Sequence, residues 1–198
     1  MQDFFSSWLY LEAISLEALI ITIPVMNILG QFKKITTFIF DVDGVMTDGS
    51  IVLLPGLEYL RTMNTKDGYG LQLAVKKGYN VAVITGGFAP PVTERMNSLG
   101  ITDVFQSVKN KLEVFNRYIT DKGIAPDRIL YMGDDIPDLR VMQAVGLACC
   151  PADAVQEIKA IAHYISPFNG GKGCVREVIE KVLKLNDHWE VDAGVKSM

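Results

Sequence analysis

"ITTFIFDVDGVMTDG", Ile35 to Gly49, runs a β-rich apolar segment straight into two carboxylates one residue apart, Asp41 and Asp43, and then turns on a glycine. A buried strand has no reason of its own to end in acid. A carboxylate taken out of water is costly unless a counter-charge meets it. The stretch therefore sets two questions: what fold drives a strand into that position, and what the negative charge is for.

Outward from this stretch the pattern is strand, loop, helix, repeated, which reads as α/β with a largely parallel sheet. "DGYGLQLAVKKGY" places Leu71, Leu73, Ala74 and Val75 on a helix that stops at Gly78. "NVAVITGG" is a second buried strand ending at Thr85. "PPVTERMNSLG" starts a short helix on proline and ends it on Gly100. "NKLEVFNRYITDKG" is amphipathic through Leu112, Phe115, Tyr118 and Ile119. "RILYMGDD" is a third strand that terminates in acid, "PDLRVMQAVG" a helix, and "LACCPADA" a strand leading to a turn. "AVQEIKAIAHYI" is another helix, with His163 on its surface, and "GGKGCVREVIEKVLKL" closes the chain with a glycine turn and a last helix. One segment breaks the alternation. "GSIVLLPGLEYLRTMN" holds two strand-like runs around Pro55 and Gly56, a β-hairpin. Its Ile51, Leu53, Leu57 and Leu60 exceed what a lone hairpin buries, so a partner subunit is expected to cover it.

Bulk properties narrow the function classes. The 198 residues are 49% hydrophobic and 21% charged, which fits one globular domain with a real core. A net charge of -4 with no Lys/Arg cluster argues against nucleic acid. Three cysteines, two of them adjacent (Cys149, Cys150), make neither a disulfide framework nor a zinc spacing, and a reducing cytoplasm fits. Residues 1–34 read as an apolar extension before the domain (35–186, hairpin about 49–63), with a tail at 187–198. Glu12 and Glu17 interrupt the extension, and its uncharged run from Ala18 to Phe32 is shorter than the roughly 18–20 residues that span a bilayer. No Lys or Arg precedes Lys33, so a signal peptide's basic n-region is missing. Two readings stay open: an upstream extension of the reading frame, or a helix packing on a partner or membrane surface through residues 1–30.

Ligands of an open parallel sheet bind beyond the carboxyl ends of the strands. Three of the expected strands end in functional groups: Asp41 and Asp43, then Thr85, then Asp134, Asp135 and Asp138. Lys111 opens the helix before the third. Clustered carboxylates repel one another, and oxygen-only ligands suit Mg²⁺. Such a cluster with a hydroxyl and a lysine is equipped for phosphoryl transfer: an aspartate nucleophile, a second carboxyl as acid and base, and cations on the equatorial oxygens.

"DVDGV" (41–45), "VITGG" (83–87), "NKLEVF" (110–115) and "YMGDDIPD" (131–138) stand in the order and spacing of the four motifs of the haloacid dehalogenase superfamily. With "TKDGYGLQLAVKKGY" and "GGKGCVREVIEKVL", the chain from about Ile35 to Leu185 resembles the small tetrameric 3-deoxy-D-manno-octulosonate 8-phosphate phosphatases. The resemblance implies a three-layer Rossmann-like fold with a mostly parallel sheet and the hairpin in place of a cap domain. It implies that Asp41 is the nucleophile and Asp43 the general acid/base. Asp41, the backbone carbonyl of Asp43, and Asp134 would hold Mg²⁺. Thr85, Gly86 and Lys111 would bind the phosphoryl group, and Asp135 and Asp138 would orient the metal waters or Lys111. Lys66, Lys172 and Arg176 would touch a phosphorylated sugar acid on the route to lipopolysaccharide. Gly87 stands where many relatives carry arginine, and Lys66 where they often carry arginine before "DGYG". The resemblance also implies a homotetramer in which hairpins assemble the particle and the C-terminal segment covers a neighbouring site.

Other readings are weaker. A calcium loop counted from Asp41 would want glycine and glutamate where Met46 and Val52 stand. An aspartate-phosphorylated receiver lacks an acid two residues after the nucleophile, where Asp43 stands. Within the phosphatase reading, a nine-carbon ulosonate 9-phosphate remains an alternative substrate. Cys174 reads as a small packing residue beside the glycine turn.

Overall fold

The computed structural model describes residues 27–53, 59–191 and 194. Six strands, β1 (Thr37–Phe40), β2 (Asn80–Ile84), β3 (Asp103–Phe105), β4 (Ile129–Met132), β5 (Leu147–Cys150) and β6 (Tyr164–Ile165), form one parallel sheet in the order β3-β2-β1-β4-β5-β6. The chain builds outward from β1 to β3, then crosses back to lay β4 on the other side of β1. That reversal puts the switch point, where open α/β sheets bind ligands, at the carboxyl end of β1.

β1, β4 and β5 are buried along their whole length, so they read as continuous apolar runs rather than alternating ones. Their two faces still separate. Phe38 and Phe40 point into a core shared with Leu71, Leu73 and Ala74 of α2 (Thr65–Lys76) and Val178, Ile179 and Val182 of α7 (Cys174–Leu185). Ile39 points the other way, toward Phe115 and Tyr118 of α4 (Lys111–Lys122) and Val141 and Met142 of α5 (Leu139–Met142). Helices α3 (Pro90–Ser98) and α6 (Gln156–Ile161) complete the two outer layers, the former through Val92 and Met96, the latter through Ile158. The three-layer α/β architecture expected from the sequence is thus present.

The segment before β1 folds onto the domain. Helix α1 (Ile28–Lys34) starts on Asn27, whose side chain accepts from the Gly30 N–H, and buries Phe32 edge-on to Tyr164 at 5.1 Å. Residues 1–26 lie outside the described residues, as do Pro55, Gly56 and Leu57 of the expected hairpin. What is described of the hairpin is one antiparallel pair, Val52 with Leu60, joined by both of its N–H···O bonds. Ile51, Leu53 and Leu60 are 43%, 66% and 47% exposed, so nothing among the described residues covers them.

Two strands differ from the sequence reading. β3 lies in "ITDVF", too short and too polar at Asp103 for its pattern to show. The helix expected over "AVQEIKAIAHYI" stops at Ile161, because Ala162 turns extended and releases the chain to the sheet edge as β6. His163 is therefore not a helix-surface residue. Its N–H donates to the Ala148 carbonyl, and its Nδ1 accepts from the Ala148 N–H.

Candidate active site

Strand register assembles the site. Phe40 pairs with Val83 on one side and Met132 on the other, so Asp41, Thr85 and Asp134 emerge along one edge of the sheet within two residues of each other. The Asp41 N–H still donates to the Met132 carbonyl at 3.0 Å, the last rung before the strands part. Asp41, Asp43, Thr85, Gly86, Lys111, Asp134, Asp135 and Asp138 line one cavity of about 310 Å³. All of the expected acid, phosphate and metal positions are together there.

Glycines let the backbone turn tightly enough. Gly44 has φ 83°, and a Cβ there would run into the Asp134 carboxylate. The glycine turn before α7 buttresses the same loop: the Gly171 N–H donates to the Val45 carbonyl at 2.9 Å, and Cys174 Sγ lies 3.3 Å from that same oxygen. Cys174 is accordingly a buried packing residue.

Lys111 lies between two of the acids. Its Nζ lies 2.8 Å from Asp41 Oδ2 and 2.7 Å from Asp138 Oδ1, and only 5% of its side chain is exposed. Burial works against the ammonium, but Asp41 and Asp138 outweigh it and hold the group above its ordinary pKa. Asp138 is fully occupied. Oδ1 also accepts from the Tyr131 hydroxyl, and Oδ2 from the Asp134 N–H. Asp135 caps a short turn through the Ile136 N–H and is exposed. Thr85 is buried, with its Oγ1 accepting from the Gly87 N–H at 3.1 Å, which leaves the hydroxyl proton to be given away.

The charge balance calls for another cation. Asp41, Asp134 and Asp138 each offer an oxygen within 4.8 Å of the others. Asp41 Oδ1 and Asp134 Oδ1 are buried without a hydrogen-bond partner. Desolvation first, then the Asp138 charge, pushes Asp41 up to about 7 against the pull of Lys111. Desolvation, Asp41 and Asp138 push Asp134 to about 7 as well. Two orphaned carboxylate oxygens with raised pKa values fit a hard divalent ion, which takes oxygen ligands and removes the repulsion. Asp138 is the poorest ligand of the three, since both of its oxygens are already hydrogen-bonded.

Asp43 stands apart. Its carboxylate turns to Arg61, in a two-toothed pair with Nε–Oδ1 2.6 Å and Nη2–Oδ2 3.0 Å. Arg61, at the foot of the hairpin, and Tyr131, which holds Asp138, were not singled out from the sequence. Tyr131 sits inside the "YMGDD" run and reads as core, while Arg61 follows the apolar Leu60 with no motif around it. Lys66, Lys172 and Arg176 come together with one another but not with the carboxylates. They line a separate cavity of about 450 Å³ beside α7. There the Arg176 guanidinium sits between the rings of Tyr69 and Trp189, 5.2 and 5.3 Å from their centres. Lys172 reaches back to Asp48 at 3.5 Å.

Residues 91–179 match the model of the haloacid dehalogenase-like hydrolases. The chain is 36% identical over 169 residues to the 3-deoxy-D-manno-octulosonate 8-phosphate phosphatase of Yersinia pestis, covering 85% of this chain and 90% of that one. The 1.95 Å crystal structure of a Yersinia pestis phosphatase of that description superposes with a TM-score of 0.81 at 35% identity, covering 87% and 92% of the two chains. A Moraxella catarrhalis phosphatase of the same description, solved in complex with magnesium ion, phosphate ion and KDO, gives 0.79 at 33% identity over 82% and 95%.

Proposed function

The chain belongs to the 3-deoxy-D-manno-octulosonate 8-phosphate phosphatase family of haloacid dehalogenase-like hydrolases, and from that premise we propose that it hydrolyses the phosphate monoester of this eight-carbon sugar acid through a phosphorylated Asp41. The observation that carries the reading is the convergence of Asp41, Asp134 and Asp138 at the switch point of the sheet, with buried Lys111 paired to Asp41 and Asp138.

Asp41 is the nucleophile. Lys111 holds one of its oxygens and leaves the other without a partner. Attack forms the bond from Asp41 to phosphorus and breaks the bond from phosphorus to the sugar oxygen. Asp43, in its protonated form and turned from Arg61, gives that oxygen its proton; as the carboxylate it later takes one from the water that cleaves the acyl phosphate, returning Asp41 and releasing inorganic phosphate. Lys111, the Thr85 hydroxyl and the Gly86 N–H meet the non-bridging oxygens. Asp138 and Tyr131 keep Lys111 in place, and Asp135 orients water at the rim. Mg²⁺ would be held by Asp41, Asp134 and the Asp43 carbonyl, and when bound it neutralises charge on the transferring group.

Among the described residues no helix is long and apolar enough to cross a membrane, and the small-molecule substrate fits a cytoplasmic enzyme. The apolar hairpin supports a homotetramer, with hairpins joined and active sites shared. Lys66, Lys172 and Arg176 would then meet a sugar acid across a subunit boundary. Phosphate release from eight- and nine-carbon ulosonate phosphates tests the substrate. Preference for the eight-carbon compound supports the reading, and preference for the nine-carbon one moves it to the other acid sugar.

A further inference from the structure

A cavity of about 480 Å³ opens at the amino end of the sheet, the end away from the carboxylate site. Its rim is made of the residues that lead into three neighbouring strands: Lys33 to Thr36 before β1, Lys77 to Tyr79 before β2, and Asp127 with Arg128 before β4. Backbone bonds fix that rim. The Thr36 N–H donates to the Arg128 carbonyl at 3.0 Å, and the Thr36 carbonyl accepts from the Asn80 N–H at 3.1 Å. The Tyr79 hydroxyl meets His188 Nδ1 at 2.9 Å, and its ring packs on Phe38 with centres 5.5 Å apart. The length of β1 separates Thr36 from Asp41, roughly 16 Å.

Lys33, Lys34, Lys77 and Arg128 line this cavity against one acid, Asp127. Lys77 is paired with Glu190 at 3.0 Å. The other three are exposed and carry no ion pair among the described residues. They come from connections far apart in sequence, so a chain of net charge -4 still presents one positive face. A second feature meets that face. From Phe4 to Met26 the charged residues are Glu12 and Glu17, and Phe4, Phe5, Trp8 and Tyr10 gather at the far end of the stretch. Helix α1 joins it to the cavity: seven residues, about 10 Å, lead from Asn27 to Lys33 and Lys34. Leu29 on that helix is 58% exposed.

We propose that the amino end of the sheet docks on the surface of an anionic lipid bilayer, with Lys33, Lys34 and Arg128 against the headgroup phosphates and the apolar stretch before α1 entering the interface. The inference is independent of the phosphatase reading. One apolar signal gives marginal, reversible attachment, and stable anchoring takes two, of which an apolar segment next to a basic patch is one combination. Both lie within one short helix of each other here. A groove on a partner protein would use the apolar stretch and leave the unpaired cations unexplained. A free phosphate would use the cations and leave the apolar stretch unexplained. Aromatic residues suit the headgroup level. The orientation leaves the carboxylate site, at the opposite end of β1, facing the aqueous phase and open to a soluble substrate.

The test is flotation of the full chain with vesicles of phosphatidylcholine alone or mixed with phosphatidylglycerol; flotation separates bound protein from aggregate, which sinks. The wild type should float with the mixed vesicles, less so as salt is raised, and far less with the neutral ones. Lys33→Gln, Lys34→Gln and Arg128→Gln together should lower the partition coefficient about a hundredfold, roughly fivefold for each cation. Leu19→Asp with Ile20→Asp should lower it as well, with the cations intact. Thermal melts of the triple variant should match wild type, since the replaced groups are exposed and unpaired. Equal flotation with neutral and mixed vesicles, or a triple variant that floats as wild type does, overturns the role of the basic face. No flotation of the wild type overturns the bilayer altogether. If inorganic phosphate then binds the vesicle-free protein and is lost in the triple variant, the cavity is a site for a free anion instead.

Discussion

Asp138 Oδ1 lies 2.7 Å from Lys111 Nζ, and the pair is buried on both sides, so the position of the ammonium over Asp41 is set by a carboxylate that never leaves the core. Asp138 is fixed in turn by the Tyr131 hydroxyl and the Asp134 N–H. The arrangement separates two jobs among like-charged groups: Asp41 and Asp134 keep an oxygen open, while Asp138 spends both of its own on orientation.

Lys111→Ala should therefore do two things at once. It removes a donor to the transferring phosphoryl group, an effect of about 10²–10³ in kcat. It also leaves three neighbouring carboxylates without their buried cation, which costs about 3–5 kcal/mol in metal-free protein. Denaturant melts with and without Mg²⁺ check the second effect, since the added ion should restore part of the loss. Asp138→Asn should lower kcat by a smaller factor and leave KM for phosphate esters nearly unchanged, measured by steady-state kinetics.

Metal-free protein should lose stability as pH rises. Asp41 and Asp134 titrate near 7 in the fold, against the ordinary carboxylate value of 3.8 in the unfolded chain. Between these values the folded state holds more protons than the unfolded state, so the slope of unfolding free energy with pH is negative. The contribution is fully present below 3.8 and is gone once pH passes 7. Thermal melts from pH 4 to 8 in chelator should show the decline. With Mg²⁺ present it should flatten, because the ion replaces the protons, and the gain in Tm from Mg²⁺ should grow with pH.

Asp67 offers a test away from the chemistry. Helix α7 begins on Gly173, which has no side chain to cap it, and Asp67 Oδ1 supplies the acceptor from α2, 2.8 Å from the Arg176 N–H. Its other oxygen is buried without a partner, and burial raises the group to about 6. Asp67→Ala should cost about 1–2 kcal/mol, as loss of a helix cap does. Asp67→Asn keeps the acceptor, removes the buried charge above pH 6, and should be at least as stable as wild type near pH 8.

The hairpin predicts the state of assembly. Ile51, Val52, Leu53, Tyr59, Leu60 and Phe88 are all exposed, an apolar surface larger than scattered residues explain. Sedimentation should show a particle larger than one chain, and Leu53→Asp with Leu60→Asp should reduce it to monomer. A wild-type monomer with full activity would contradict the shared-site arrangement.

Much of this was legible in the sequence because the site is made of strand ends. β1, β2 and β4 are short apolar runs, each followed within two residues by a polar side chain, so Asp41, Thr85 and Asp134 could be placed together from the sequence. Lys111 could be added because it follows Asn110 at a helix start. Two kinds of feature stayed hidden. β3 and β6 are three and two residues long, with Asp103 and Tyr164 among them, and such edge strands have no period to read. Arg61 and Tyr131 act through contacts across 18 and 7 residues that no spacing encodes. The assignment of Lys66, Lys172 and Arg176 to the substrate followed family resemblance alone, and in the single chain these residues border another cavity.

The most direct test of the central claim is phosphate release from 3-deoxy-D-manno-octulosonate 8-phosphate by the wild-type protein and by Asp41→Asn, each with and without Mg²⁺. Asn keeps the shape of the side chain and removes the nucleophile. Mg²⁺-dependent turnover in the wild type, with a loss of about 10³-fold or more in the variant, is the predicted result. Turnover in Asp41→Asn at the wild-type rate would contradict a phosphorylated Asp41, whatever the substrate.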